Sequence, residues 1–137
     1  MIHKVDIKTG SRVEFQEITG KVTDVVGRSG VKSGVCHVFV PHTTAGIMVN
    51  EHADPSVVED IAAQFESLVP KHSRYRHTEG NAPAHVKASL IGSSETVFIE
   101  GGHLVLGTWQ GVFFCEFDGP RSRTVLVKVI GDTSESK

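Results

Sequence analysis

The segment from Val38 to Asp54, VFVPHTTAGIMVNEHAD, constrains the fold of this chain more than any other stretch. Two apolar runs flank a Pro-His-Thr-Thr turn, and an Asn-Glu pair follows the second run. Polar side chains this dense between buried strands are costly unless they are paired or used. The segment therefore predicts two buried strands with part of a functional site at the turn that joins them.

Apolar runs that alternate or stay continuous predict strands along most of the chain. These runs cover residues 3–8, 12–15, 35–40, 45–49, 95–100, 103–106, 109–117 and 123–130. We expect the first two to form a hairpin and residues 45–49 to return beside residues 35–40. Gly101-Gly102 is a hairpin-type turn, and Asp118-Gly119-Pro120 is a strong turn signal.

Three helices are predicted from helical periodicity and end signals, over residues 18–26, 55–69 and about 84–90. Thr19 is the candidate N-cap of the first helix. Asp54 is a good N-cap for the second, because Pro55 suits the first helical position. Asn81 lies near the start of the third. Together with the strands, these elements predict a strand-rich α+β domain on a mostly antiparallel framework.

The length, charge and cysteine content of the chain limit the classes of function that it can have. A length of 137 residues fits one domain, residues 1–137, and 14 basic against 16 acidic residues weigh against a nucleic-acid partner. No run approaches the length of a membrane span. Cys36 and Cys115 each lie in an apolar run without metal-binding spacing, which indicates buried thiols in a reducing compartment. We therefore expect a cytoplasmic protein with neither a nucleic-acid nor a membrane partner.

His42 is the first candidate for chemistry, because it follows a strand and Pro41 and should stand where solvent or a ligand can reach it. Thr43 and Thr44 add two hydroxyl groups beside it. The alternative is a turn in which the threonine hydroxyls satisfy the backbone. Glu51, near the end of the returning strand, has no evident structural task and is a candidate for acid–base work or for orienting a histidine.

A second group lies in the stretch HTEGNAPAHVKAS, where His77 and His85 are eight residues apart and meet only if the chain between them folds back. Asn81 lies between them as a possible partner. Lys87 and Ser89 follow, and a phosphate at the start of this helix is possible. Two exposed loop histidines would explain the spacing equally well.

The stretch EFDGPRSR forms a third group. Asp118 is explained by its turn. Arg121 and Arg123 alternate along a predicted strand, so both side chains should point to one face. Two guanidinium groups on one face suit a phosphate or a carboxylate. The alternative is a solvated edge strand.

The motifs PHTTAGI, NEHADPSV, YRHTEGNAPAHVKASLIG, LGTWQ and EFDGPRSR occur in this order. Together they resemble the YjbQ-like family, also described as secondary thiamine-phosphate synthase enzymes, over nearly the whole chain. His52 and Pro83 depart from the family pattern. The resemblance implies an α+β fold on a β-sandwich-like core and a homotrimer.

The resemblance also implies site residues. Matching imidazoles are His42, His77 and His85, which could hold a divalent metal such as zinc or magnesium. Matching polar partners are Glu51, Asp54, Asn81, Asp118, Arg121 and Arg123. We expect catalytic roles for His42, Glu51 and Asp118. Substrate contacts are expected from Thr43, Thr44, Asn81, Lys87, Ser89, Arg121 and Arg123.

Three functions compete. The resemblance implies an enzyme that acts on a small phosphorylated molecule with thiamine-phosphate synthase-type transferase activity. A metal-dependent hydrolase or phosphatase with three histidine ligands would explain the imidazoles better, with Glu51 as general base to a metal-bound water. A trimeric module that binds a metal or an anion without catalysis would need no base.

Overall fold

The computed structural model describes residues 1–133, so residues 134–137 of the predicted single domain lie outside the described part. Within residues 1–133 the chain forms eight strands and three helices. The strands are β1 (Ile2–Lys8), β2 (Glu14–Glu17), β3 (Ser33–Phe39), β4 (Ala45–Glu51), β5 (Ser94–Glu100), β6 (His103–Leu104), β7 (Gln110–Glu116) and β8 (Ser122–Gly131). The helices are α1 (Thr19–Ser29), α2 (Pro55–Leu68) and α3 (Ala82–Ile91).

The strands form two antiparallel sheets. The larger has the strand order β1-β8-β3-β5-β6, and the smaller has the order β2-β7-β4. Every strand pair in the described part is antiparallel. The prediction of a strand-rich α+β fold with a mostly antiparallel, sandwich-like core is confirmed.

Both hairpins predicted in the first half of the chain are wrong. β1 pairs with β8 and β2 pairs with β7, so neighbouring strands in sequence enter different sheets. β3 and β4 likewise separate, β3 into the larger sheet and β4 into the smaller. Burial explains the separation, because Ile7 packs into the core between the sheets while Phe15 packs on the far side of the smaller sheet. The hairpin of β5 and β6 is confirmed.

Two apolar clusters set the order of the layers. The first lies between the sheets and includes Val38 from β3, Ile47 from β4 and Val22 from α1. The second lies on the other face of the smaller sheet, where Phe113 packs with Ala88 of α3. Strand β7 is consequently buried on both faces from Gly111 to Glu116, which is why its sequence is apolar almost without alternation.

The helix starts agree with the sequence for α2 and, in position, for α3, and the start of α1 differs. Asp54 caps α2 by accepting a hydrogen bond from Ser56 N–H at 3.0 Å, as predicted. Helix α1 has Ile18 at its N-cap position instead of Thr19, whose hydroxyl accepts from Val112 N–H at 2.8 Å. Asn81 occupies the N-cap position of α3, but within residues 1–133 its side-chain oxygen accepts no hydrogen bond, and its amide nitrogen donates to Asp118.

Helix α3 is held against β4 by a close backbone approach. Ile47 N–H donates to the carbonyl oxygen of Gly92 at 3.1 Å. A Cβ atom on Gly46 would lie 2.7 Å from that same oxygen, so only glycine permits the contact. This approach fixes the position of the residues that α3 contributes to the site.

Both cysteines are free and buried, as predicted. Burial raises the pKa of Cys36 to about 11 and also raises the pKa of Cys115. Thiols with raised pKa values are poor nucleophiles at neutral pH, so neither is a candidate for chemistry. Among residues 1–133, none of the helices is both long and apolar enough to cross a membrane.

Candidate functional site

His42 lies in the connection between β3 and β4, and its ring is held by the larger sheet. Thr124 N–H in β8 donates a hydrogen bond to Nε2 of His42 at 2.9 Å. Only an unprotonated ring nitrogen can accept an N–H, so a neutral His42 carries its proton on Nδ1. Burial lowers the pKa of His42 below its ordinary value of 6.5, and the positive charge of Arg123 lowers it further. His42 is therefore a neutral imidazole with Nδ1–H as its remaining donor.

His77 and His85 meet, as the sequence required for any joint role. Their ring centroids are 5.1 Å apart in an edge-to-face arrangement. Nε2 of His77 lies 3.9 Å from Oε1 of Glu79. The loop after α2 folds back onto α3 and brings an imidazole pair and a carboxylate together.

His42 and His85 line one open cleft of about 530 Å³, which we call the histidine cleft. Its walls also carry the hydroxyl-bearing residues Thr43, Ser89 and Ser93. Ser89 donates to the carbonyl oxygen of His85 at 2.9 Å, one helical turn earlier in α3. The cleft thus combines two imidazoles with three hydroxyl groups.

Beneath this region lies a buried polar cluster, the Glu116 network, made of Thr9, Thr44, Glu116 and Arg123. Arg123 donates through Nε to Glu116 Oε1 at 2.8 Å, and through Nη2 to the other carboxylate oxygen. Nη2 also donates to the hydroxyl of Thr44 at 2.8 Å. Burial alone would raise the pKa of Glu116, but hydrogen bonds from Arg123, the backbone of Asp118 and Thr9 together hold it below its ordinary value.

The Glu116 network holds the two backbone segments that position His42. Arg123 directly precedes Thr124, whose backbone holds the ring of His42. Arg123 also holds Thr44, two residues after His42. The arginine side chain therefore connects both backbone segments that position the imidazole.

Arg121 and Arg123 do not present two forks on one face, so that prediction is wrong. Strand β8 begins at Ser122, and Arg121 lies in the bend before it, outside the alternation of the strand. Arg121 is exposed and donates to Asp118 Oδ2 at 3.0 Å, whereas Arg123 is buried among carboxylate and threonine partners. Neither Arg123 nor Thr44 lines the histidine cleft.

Lys87, Asn81 and Asp118 line a second, smaller depression, the lysine pocket, on another side of α3. Its volume is about 70 Å³, and Arg12, Glu66, Lys71 and Phe117 also line it. Lys87 is only 1% exposed and donates to Glu66 Oε1. That ammonium group holds the pKa of Glu66 below its ordinary value, and Arg12 contributes in the same direction.

Glu51 does not join His42. The two ends of β4 are Ala45 and Glu51, and six residues of extended chain separate them by about 20 Å. The carboxylate of Glu51 accepts from Ala53 N–H at 2.9 Å and lines a different depression, with Glu17 and His52. Glu51 therefore cannot act as a base beside His42 in this arrangement.

The predicted three-histidine metal set is also not assembled. His77 and His85 are in contact, but Nε2 of His42 is engaged by Thr124 N–H. Across residues 1–133, no group of three or more His, Cys, Asp or Glu side chains is arranged to hold a metal ion. These three histidines therefore do not fit a shared zinc or magnesium ion.

Sequence reasoning missed Glu116, Thr9 and Glu66. A signal for Glu116 was present, because a carboxylate in the apolar run FFCEF must find a buried partner. Glu66 carried no such signal, since it looks like any polar residue on an amphipathic helix. Its partner Lys87 lies 21 residues later, and only the packing of α2 near α3 brings them together.

Comparison with known proteins gives consistent matches over almost the whole chain. The model of the family described as UPF0047 protein YjbQ-like matches residues 3–132. The chain is 51% identical to a UPF0047 protein of Methanocaldococcus jannaschii, covering 96% of this chain and 96% of that protein. It is 47% identical to the UPF0047 protein YugU of Bacillus subtilis, covering 96% of this chain and 100% of that protein.

Solved structures agree in fold. An uncharacterized conserved protein of the yjbq/upf0047 family from Clostridium acetobutylicum has a TM-score of 0.92 and 52% identity, covering 93% of this chain and 99% of that one. A YbjQ-like protein of unknown function from Sulfolobus solfataricus has a TM-score of 0.92 and 34% identity, covering 96% and 97%.

These matches correct the functions expected from the sequence. The similar proteins carry family names or are described as of unknown function, and nothing in them indicates thiamine-phosphate synthase activity. The competing expectation of a three-histidine metallohydrolase or a metal-binding module fails on the arrangement of the ligands in residues 1–133. A function has to be argued from the histidine cleft itself.

Proposed function

This chain belongs to the YjbQ-like UPF0047 family, and from the geometry of its histidine cleft we propose that it is an enzyme that performs acid–base chemistry on a small polar molecule. The observation that carries the proposal is the hydrogen bond from Thr124 N–H to Nε2 of His42, at the edge of a cleft that His85 also lines. That bond leaves one nitrogen of His42, Nδ1, for a substrate.

His42 acts as a hydrogen-bond donor. Its pKa is below the ordinary value, so the ring is neutral at neutral pH and Nδ1–H is the available group. A neutral imidazole that donates to a substrate oxygen stabilises negative charge that develops there without first losing a proton. A carbonyl or similar oxygen is the substrate group that such a donor suits.

His85 acts as the proton acceptor. It lines the same cleft, and its ring packs against His77. Glu79 lies 3.9 Å from His77, so a carboxylate stands beside the imidazole pair. The two histidines of the cleft thus have different protonation roles, which general acid–base catalysis requires.

The cleft suits a small molecule. Its volume of about 530 Å³ lies within the range of roughly 300–1,000 Å³ that is typical of small-molecule sites. The hydroxyl-bearing side chains of Thr43, Ser89 and Ser93 offer hydrogen bonds to a polar substrate. A phosphate on that molecule stays a prediction, as does the cytoplasmic location.

The test compares His42→Gln and His85→Gln with the matched control His72→Gln, whose histidine is exposed outside the cleft. Small esters and lactones, each with and without a phosphate group, are assayed for hydrolysis, and small ketones for proton exchange in D₂O. We expect one class to be turned over, with rates about 10²–10⁴-fold lower in both cleft variants and unchanged in the control.

Two results would contradict the proposal. One is turnover that survives in both His42→Gln and His85→Gln. The other is the absence of turnover throughout the panel, together with unshifted ring resonances of His42 and His85. The paired phosphorylated and unphosphorylated compounds also measure whether a phosphate strengthens binding.

A homotrimer is proposed as the assembly. It is implied by the family resemblance and supported by the outer face of the larger sheet, which within residues 1–133 neither the helices nor the smaller sheet cover. Phe98 on that face is 66% exposed, and Phe39 and Ile130 are each 45% exposed. Contiguous apolar patches mark association surfaces. The molar mass in solution tests this assembly, and a monomer at high concentration would contradict it.

A further inference from the structure

The lysine pocket contains two polar groups whose hydrogen-bonding capacity is not used up. Lys87 is 1% exposed, and within residues 1–133 its ammonium group has one hydrogen-bond acceptor, Glu66 Oε1. An ammonium group has three donors. The nearby ring of Phe117, with its centroid 6.0 Å from Nζ, offers only a weaker contact. Lys87 can therefore donate to a further acceptor in the pocket.

The second group is the side-chain oxygen of Asn81. It is buried and has no hydrogen-bond partner in the described part of the chain. Its orientation is settled by Asp118, because the amide nitrogen of Asn81 donates to Asp118 Oδ2 at 2.9 Å. A carboxylate accepts and does not donate, so the reversed amide would place two acceptors together. The oxygen of Asn81 must be the group left without a donor.

The charges of the lining restrict what the pocket can hold. Three cationic side chains and two carboxylates line it, those of Arg12, Lys71, Lys87, Glu66 and Asp118. Glu66 already pairs with Arg12 and Lys87, so a carboxylate ligand would compete with it for those cations and would leave Asn81 unmatched. A cationic ligand would meet the three cationic side chains. A neutral group can place one acceptor on Lys87 and one donor on Asn81. It satisfies both hydrogen-bonding groups and avoids repulsion from the carboxylates and from the cations.

The size of the pocket is consistent with such a group. Its volume is about 70 Å³, and one water needs roughly 10–15 Å³ measured in the same way. Space for several waters is space for a planar group of a few heavy atoms. The entrance beside Arg12, whose guanidinium lies 3.4 Å from Glu66, is at the surface.

We propose that the lysine pocket is a binding site for a small neutral molecule that carries a carboxamide, or the same donor–acceptor pair, with its oxygen on Lys87 and its N–H on Asn81. This site is separate from the histidine cleft and does not rest on the function proposed for it. The proposal rests on the buried ammonium group of Lys87 and the buried side-chain oxygen of Asn81, and neither residue has a role in the histidine cleft.

The experiment uses acetamide, acetate and acetamidinium, which share one planar skeleton and differ in charge and in donor pattern. Binding to the full-length protein is followed by NMR shifts of the Asn81 side-chain amide and the Lys87 side chain. Such small probes bind weakly, so a Kd of roughly 1–10 mM is expected for acetamide. Acetate and acetamidinium should bind at least about tenfold more weakly.

A variant pair localises the binding. Lys87→Met removes the donor, and Lys21→Met removes an exposed lysine on α1, outside the pocket, as the matched control. Acetamide binding should be lost in the first and kept in the second. Because the three-probe comparison uses the wild type, the proposal stays testable if Lys87→Met fails to fold.

Three results would overturn the proposal. Equal or tighter binding of acetate would make the pocket an anion site. Unshifted Asn81 and Lys87 signals with all three probes at about 100-fold the expected Kd would mean that the pocket holds only water. Acetamide binding that persists in a folded Lys87→Met variant would place the probe elsewhere.

Discussion

Arg121 and Arg123 lie two residues apart, and their carboxylate partners, Asp118 and Glu116, also lie two residues apart. In the outer pair Arg121 is exposed and Asp118 is partly buried, with the guanidinium 3.0 Å from Asp118 Oδ2. The inner pair is almost completely buried and shares hydrogen bonds with Thr9 and Thr44. An arginine and a carboxylate therefore form a partly solvated ion pair in one case and a buried network in the other, although the two pairs are close neighbours in the chain.

The difference shows that burial sets the importance of such a pair. An exposed pair competes with water and is screened by salt, so it contributes little to stability. In the buried pair each charge depends on the other, because neither can return to water while the chain is folded. The buried pair also connects to the backbone segments around His42, whereas the exposed pair connects to Asn81 and the lysine pocket.

The largest expected effect comes from breaking the buried pair. Arg123→Leu leaves the carboxylate of Glu116 buried without its counter-charge, and we expect a loss of about 3–5 kcal/mol in the free energy of unfolding. Denaturant-induced unfolding measures it. The double variant Arg123→Leu/Glu116→Leu should be more stable than the single one, since it removes both charges together. A double variant that loses the sum of both single losses would contradict this account.

A smaller effect is expected at the exposed pair. Arg121→Gln should change the free energy of unfolding by no more than about 1 kcal/mol, because water replaces the lost contact. Unfolding at low and high salt checks the reason, since the difference between wild type and variant should shrink as salt rises. A loss as large as that of Arg123→Leu would mean that exposure does not distinguish the two pairs.

The smallest expected effect is on the titration of His42. Arg123 lowers the pKa of His42 more than Arg121 does, so Arg123→Leu should raise that pKa more than Arg121→Gln. In the wild type the folded pKa lies below the ordinary 6.5. The unfolded chain therefore binds the proton first as pH falls, and stability decreases from about pH 6.5 down to the folded pKa.

NMR titration of the His42 ring measures the pKa values, and unfolding of the wild type against His42→Gln between about pH 7 and 5 measures the linkage. The variant should lose less stability over this range than the wild type. An equal decline in both proteins would remove His42 as its source.

Much of the fold could be predicted from the sequence because its signals are local. The helix that begins after Asp54 needs only its N-cap, its proline and its apolar periodicity, and the structure has all three in place. The strands were found from apolar runs in the same way. Their partners could not be found, because β1 pairs with β8 across more than a hundred residues and no local turn specifies that choice.

The same distinction between local signals and tertiary contacts applies to the candidate site. From residue types and their order, the sequence identified five of the candidate residues, His42, His77, Asn81, His85 and Lys87. The sequence could not separate the histidine cleft from the lysine pocket, because both are lined by α3 and differ only in which neighbouring element each face of the helix meets. Nor could the sequence exclude Glu51 as a base beside His42. Glu51 is excluded only because it lies at the end of β4 that is far from His42.

The sequence by itself determined the family, the α+β class, the helix after Asp54 and the residues around which chemistry could occur. Only the tertiary structure decided that Arg123 turns inward to Glu116 while Arg121 stays in solvent. It also decided that Thr124 engages His42. The physical reason is that hydrogen bonds and burial depend on atoms from β4, β7 and β8 meeting in space, and adjacency in sequence does not specify those meetings.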